Sequence, residues 1–216
     1  MTSLKIEIVS DVVCPWCVIG YKNLQKAIKN LDNKMNFDIS WRPYELHPEI
    51  PEDGYDKELY MKQKFGNSSR SSFASNMKEL GEDLGFEFNF SKSKIIPNTF
   101  KAHRFIWSIK DQDLQTKLSE ALFYAHFTEG RDVGSTEILA QIGEDIGIDK
   151  RETISLLNSG EGGKEVADLE INAMENAITS VPTYIINNRF ILHGGQEPNT
   201  FESFFRRVET ILKKEE

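Results

Sequence analysis

The chain has 216 residues, 39% of them hydrophobic and 28% charged, with a formal net charge of −8. This is the composition of a folded globular protein, long enough for one large domain or for one domain carrying an insertion. The 26 basic residues form no run longer than two, which argues against nucleic acid or a membrane surface as partner, because phosphate binding needs concentrated positive charge.

No apolar run approaches the length of a membrane span. Met1-Thr2-Ser3-Leu4-Lys5 shows no basic segment followed by an apolar stretch. The expectation is therefore a cytoplasmic protein without an export signal, in which a permanent structural disulfide is not expected.

Ile6-Glu7-Ile8-Val9 alternates, and residues 5–9 are predicted as a first strand. Val18, Tyr21, Leu24, Ile28 and Leu31 recur at helical spacing, predicting a helix from near Cys14 to about Asp32. Phe37, Ile39 and Trp41 alternate with Asp38, Ser40 and Arg42 as a second strand. The opening is a βαβ unit, whose strands should run parallel with a right-handed crossover.

Prolines at 43, 48 and 51 make the stretch from Pro43 to Gly54 irregular, and the pattern that follows is almost wholly helical. Phe73, Met77, Leu80 and Leu84 predict one helix, stopped by Gly85. Phe86, Phe88 and Phe90 alternate as a short extended segment would.

Phe100, His103, Ile106 and Ile109 share one helical face. Leu114, Leu118, Ala121, Leu122 and Ala125 share the next, with Asp111 or Asp113 as its cap. Ser135 opens a helix ending at Gly147, and Asp149 with Glu152 resembles a capping box. Val166, Leu169, Ala173 and Ile178 mark a longer helix. Thr183–Ile186 and Arg189–His193 then flank Asn187-Asn188, a turn pair that closes hairpins. Phe201, Phe204, Phe205, Val208, Ile211 and Leu212 predict a final helix.

Cys14 and Cys17 are the only two cysteines. Random placement would space two cysteines this way in about 1% of cases. They enclose Pro15 and Trp16 between a strand and a helix start. Unpaired N–H groups and the macrodipole at a helix N-terminus stabilise a negative charge there, and Pro15 suits the first turn, where no N–H is needed. Cys14 is therefore expected to be an exposed, acidified nucleophile, and Cys17, one turn along, the inward-facing resolving thiol.

Structural zinc fails for want of ligands: four are needed, no second cysteine pair exists, and none of His47, His103, His126 and His193 has another histidine within four positions. Two buried structural thiols are the other bland reading, but burial does not explain the proline and tryptophan between them. Val181-Pro182, just before the strand Thr183–Ile186, reads by itself as a proline at a strand's first position.

The βαβ unit with Cys14-Pro15-Trp16-Cys17, a helical insertion, and Val181-Pro182-Thr183 opening a ββα tail together resemble the DsbA-like branch of the thioredoxin superfamily. Ser10 to Cys17, Trp41-Arg42-Pro43-Tyr44-Glu45-Leu46, Asn98-Thr99 with Ala102-His103-Arg104, and Gly194-Gly195-Gln196 are similar to the FrnE-type members. The resemblance implies an α/β protein with a thioredoxin-like fold from residues 1–50 and 178–216, and an inserted all-helical cap domain over residues 51–177.

It also implies a thiol–disulfide oxidoreductase with Cys14 and Cys17 catalytic and Val181-Pro182 a cis peptide against the dithiol. The Val181 backbone would pair with an incoming substrate chain as an added strand. Substrate contacts are expected at Pro15, Trp16, Val181, Pro182 and, on the cap helix, His103, although His103 also falls on that helix's apolar stripe. No cofactor or metal is expected beyond the dithiol. The expected partners are disulfide or thiol proteins and peptides, with glutathione as a candidate co-substrate.

Asp11, three residues before Cys14, is a candidate to accept or shuttle a proton, but the favoured reading is a solvated loop carboxylate or a cap; Gln196 reads as a turn residue with at most a weak substrate contact. The chain also resembles the 2-hydroxychromene-2-carboxylate isomerase and kappa-class glutathione transferase group. Those enzymes activate glutathione with a serine at the first cysteine's place, and the intact dithiol weighs against that alternative. A non-catalytic cleft that holds unfolded polypeptide is a third reading, which nothing in the residues favours.

Overall fold

A computed structural model describes residues 2–31, 34–65 and 71–215. Strand β1 (Thr2–Ser10) leads into helix α1 (Pro15–Asn30), and β2 (Met35–Pro43) follows. Next come β3 (Tyr55–Asp56), α2 (Lys57–Phe65), α3 (Ser71–Asp83) and β4 (Ile95–Ile96). Helices α4 (Phe100–Ser108) and α5 (Gln112–Tyr124) lead into a π-helical turn, Ala125–Glu129. Helices α6 (Thr136–Asp145), α7 (Lys150–Asn158) and α8 (Gly163–Glu175) complete the insertion. The chain closes with β5 (Thr183–Ile186), β6 (Phe190–His193) and α9 (Pro198–Glu215).

The main sheet runs β2-β1-β5-β6. As the βαβ pattern requires, β1 and β2 are parallel, with Ile8 opposite Trp41. The C-terminal hairpin adds antiparallel to β1, with Val9 opposite Thr183, and Asn187 and Asn188 turn it with φ of 51° and 54°, the left-handed values a tight hairpin needs.

Because side chains alternate along a strand, the two faces separate. Leu4, Ile6, Ile8, Tyr184 and Ile186 pack with Leu24 of α1 and with Phe201 and Phe205 of α9. On the other face Val9 and Ile185 meet Ala173 and Ile178. The larger cluster continues without a break into Phe105 of α4 and Leu118, Leu122 and Phe123 of α5.

Several elements differ from expectation. β1 and β2 pair from Thr2 opposite Met35 through Ser10 opposite Pro43, so the first strand is longer than residues 5–9 and Pro43 ends the second. α1 stops at Asn30 with Leu31 as its C-cap, and Asp32 lies outside the described residues. Helix α2 was missing from the pattern because it has no apolar stripe: Leu59 is among the exposed residues.

Phe86, Phe88 and Phe90 form no strand. Their alternation instead packs rings, with Phe88 stacked on Phe90 at 5.4 Å and edge-on to Phe127 at 5.2 Å. Ala125 begins the π-helical turn rather than ending α5. Asp111, not Asp113, caps α5 by accepting from Leu114 N–H at 2.8 Å. Asp149 accepts from both Arg151 and Glu152 N–H. The final strand starts at Phe190 rather than Arg189.

One buried amide joins the sheet edge to the insertion. Gln115 Oε1 accepts from the Trp41 N–H at 2.9 Å, while its Nε2 donates to the Ile106 and Ile109 carbonyls. Trp41 is held further by its indole N–H on Thr116 and by ring contacts with Tyr21 and Phe123. Replacing Gln115 with Leu keeps the bulk but strands these groups, and each buried unsatisfied group costs about 1–3 kcal/mol. Gln115→Leu is therefore expected to lower unfolding stability by about 2–4 kcal/mol, read from urea denaturation.

Candidate active site

Cys14 is the N-cap of α1, in an extended conformation, with Pro15 opening the helix. The turn before it is set by backbone bonds: Cys14 N–H donates to the Asp11 carbonyl at 3.1 Å, and Cys17 N–H to the Cys14 carbonyl at 3.0 Å. Both cysteines are free thiols. The Val181–Pro182 peptide is cis, and the Cys14 thiol donates to the Val181 carbonyl at 3.7 Å, a sulfur's distance. Cys14, Pro15, Trp16, Cys17, Val181 and Pro182 thus converge at one end of the sheet, although 167 residues separate Cys14 from Val181.

One expectation is corrected: Cys14 is only 4% exposed. It is turned against the Val181 carbonyl, and the exposed residue of the motif is Trp16, at 40%. Cys17 lies wholly within the core. Burial first, and then the hydrogen bond and charge of Cys14, push its thiol well above the usual cysteine range, partly offset by hydrogen bonds with the Ser10 side chain and Asp11 backbone. The two sulfurs are therefore unequal, with one facing the cis-proline strand and one kept protonated beneath it.

Asp11 is also corrected. It is fully buried, not a solvated loop residue. Its Oδ2 accepts from Leu46 N–H at 2.7 Å and its Oδ1 from Val13 N–H at 3.3 Å. His103, reaching from α4, places Nε2 3.5 Å from Asp11 Oδ1, an ion-pair contact rather than a formed hydrogen bond. Being 2% exposed, His103 stands behind the dithiol loop and not in the open cleft. Gln196 bonds back to the His193 carbonyl, within the turn that Gly194 makes at φ 82°.

Two features went unread in the sequence. Tyr184, one strand position past Thr183, has a fully buried hydroxyl with no hydrogen-bond partner. Burial and then the nearby Cys17 and Cys14 hold that hydroxyl well above its usual pKa. Only the sheet register, with Tyr184 opposite Ile8 of β1, brings it under the dithiol.

The second feature is a cavity of about 600 Å³ flanking Val13 and Pro15, walled by Leu46, Phe90 and Phe127 and reached by Lys57. Lys57 donates to the Phe90 carbonyl at 2.5 Å, and burial lowers its pKa. His126, also in its wall, is pushed down to about 4 by burial and by Lys57. The remaining walls come from α2, α3 and the segment around β4. Among the described residues, no cluster of three or more His, Cys, Asp or Glu could hold a metal ion, and no helix is long and apolar enough to cross a membrane.

Gly20 lets these parts approach. A Cβ there would press into the Tyr184 hydroxyl and lie 3.0 Å from both the Gly195 Cα and the Pro182 ring. Alanine normally improves a helix over glycine by about 0.8–1.0 kcal/mol. Here two of the three neighbours are backbone or proline ring and cannot yield easily. Gly20→Ala is expected to destabilise by about 1–3 kcal/mol and to slow alkylation of Cys14, measured by denaturation and by a thiol-trapping time course.

The sequence matches the family described as "DSBA-like thioredoxin domain" over residues 5–206. It is 27% identical over 205 residues to the uncharacterized protein YwbO of Bacillus subtilis (strain 168), covering 93% of this chain and 94% of that one. The fold is similar to that of the probable DsbA oxidoreductase SCO1869 from Streptomyces coelicolor, with a TM-score of 0.85 at 22% identity over 96% of this chain and 90% of that one. It is also similar to 2-hydroxychromene-2-carboxylate isomerase, with a TM-score of 0.71 at 14% identity over 98% and 99% of the two chains. With nearly its whole length matched and a thioredoxin-like sheet carrying a helical insertion, this chain belongs to the DsbA-like thioredoxin family.

Proposed function

We propose that this protein is a thiol–disulfide oxidoreductase in which Cys14 attacks and Cys17 resolves. The observation that carries the reading is the placement of Cys14 at a helix N-terminus against the Val181 carbonyl, with Cys17 buried beneath it.

The Cys14 thiolate attacks one sulfur of a substrate disulfide. A Cys14–substrate S–S bond forms, the substrate S–S bond breaks, and one substrate thiolate leaves and takes a proton from solvent. Cys17 then gives up its proton and attacks the Cys14 sulfur. The Cys14–Cys17 bond forms and the second substrate thiolate leaves, so two electrons pass from protein to substrate. The same steps reversed oxidise a substrate dithiol, and the surrounding redox poise sets the direction.

Trp16 and Pro15 offer an apolar landing surface, and the Val181 backbone a strand edge for a peptide substrate. The cavity beside Val13 and Pro15 supports a substrate class that includes small disulfides. We place the exchange in the cytosol, with glutathione as the thiol that returns the protein to its dithiol form. Rapid recovery of the dithiol on mixing oxidised protein with glutathione supports that assignment; no recovery removes it.

Insulin reduction driven by a thiol reductant tests the main reading. Cys14→Ser is expected to abolish turnover, and Cys17→Ala to accumulate a mixed disulfide seen as a mass shift under non-reducing conditions. Retained turnover by Cys14→Ser overturns the mechanism. Because the Cys17 thiol is pushed up, the resolution rate should rise with pH by about tenfold per unit until that thiol is ionised, which rapid-quench trapping of the mixed disulfide measures.

A further inference from the structure

Directly behind the dithiol lies a buried polar cluster that disulfide exchange, as described, does not use. Asp11 ties the dithiol loop to the segment after β2. Its carboxylate accepts from Val13 in the dithiol loop and from Leu46 beyond β2, and its carbonyl accepts from Cys14. Facing it, from the helical insertion, is His103 at 3.5 Å. The His103 Nε2 atom is buried without a hydrogen-bond partner.

Two more carboxyls share the space, Glu45 beside Leu46 and Glu170 on α8, each with a buried oxygen that has no partner. Glu49, in the same loop as Glu45, and His126, on the π-helical turn, are the other ionisable groups whose charge reaches Glu45 or Asp11. The charge of Lys57 acts on His126 in turn.

A buried carboxylate needs a counter-charge or full hydrogen bonding to stay ionised. Two backbone N–H groups serve Asp11, and His103 supplies the only positive charge paired with it among the described residues. Asp11 holds Val13 with its side chain and Cys14 with its backbone carbonyl, so its placement bears on where the Cys14 turn stands.

We infer that His103 is a positioning residue for disulfide exchange: as an imidazolium it balances Asp11, and it thereby couples protonation of this interface cluster to the reactivity of Cys14. The inference rests on the thiol–disulfide reading of the site. Burial alone would lower the His103 pKa, and Asp11, followed by Glu170 and Glu45, raises it above the usual histidine value. Burial and then Glu170 push Glu45 up to about 7, and burial also raises Glu170. Each proton the cluster loses as pH rises adds negative charge behind the Cys14 loop, which opposes thiolate formation there.

The test is the pH profile of Cys14 alkylation by iodoacetamide in a Cys17→Ala background, where a single thiol reports. Alkylation needs no disulfide substrate, so its outcome stands apart from the insulin assay that tests the oxidoreductase reading. His103→Gln leaves Asp11 uncompensated and is expected to slow alkylation about tenfold at neutral pH, equivalent to one unit in the thiol pKa. Adding Asp11→Asn removes the stranded charge and should bring the rate back to within about threefold. A purely structural histidine would lower stability in both variants without this rescue. Superimposable pH–rate curves for wild-type and His103→Gln backgrounds overturn the inference.

A second measurement uses wild-type protein, so it stands even if the variants fail to fold. Coupling is reciprocal, so the His103 imidazole, followed by NMR, should titrate at a different pH in the dithiol and disulfide forms. Identical titration curves overturn the inference as well.

Discussion

The register between β1 and β5 is the constraint on which the site depends. Val9 pairs with Thr183 and Ile8 with Tyr184. β1 feeds the Cys14 turn and β5 begins immediately after Pro182, so this pairing sets Val181 against the dithiol. A slip of one residue would turn Tyr184 and Ile186 out of the main core and drive Ile185 into it. The buried apolar faces of both strands therefore hold the geometry of the dithiol against Val181. The site is built at an edge of the core and inherits its precision from the core's alternation.

The helical insertion is more than a cover in this arrangement. Its helices share the main apolar cluster with the sheet, and Gln115 satisfies the backbone of an edge strand whose N–H would otherwise be buried unpaired. It also delivers His103 to Asp11. The thioredoxin-like part supplies the two thiols, and the insertion supplies the imidazole that faces Asp11 behind them. In a low-dielectric interior, even a modest rearrangement between the two parts would act strongly on the buried carboxylate.

Burial divides the two thiols into roles. Cys17 is kept protonated by desolvation and by its neighbour, and Tyr184 fills the space beneath without competing for its proton. Cys14 stands instead at the helix N-terminus, with its thiol turned to the Val181 carbonyl. Its low exposure does not contradict a nucleophilic role.

What the sequence determined by itself was local chemistry and periodicity. The Cys-Pro-Trp-Cys spacing, the helix that begins at Cys14, the parallel βαβ opening and the Asn-Asn hairpin all follow from short-range rules of backbone preference and alternation. It went wrong where a periodic signal had another cause, as with Phe86, Phe88 and Phe90, whose spacing serves ring packing. It was silent where no signal existed, as with the polar helix α2. The meeting of Asp11 with His103, the orphaned Tyr184 hydroxyl beneath the dithiol and the burial of Cys14 were decided only by tertiary structure. Each joins residues from distant parts of the chain, and a charged or polar side chain looks the same in sequence whether it faces water or a buried partner.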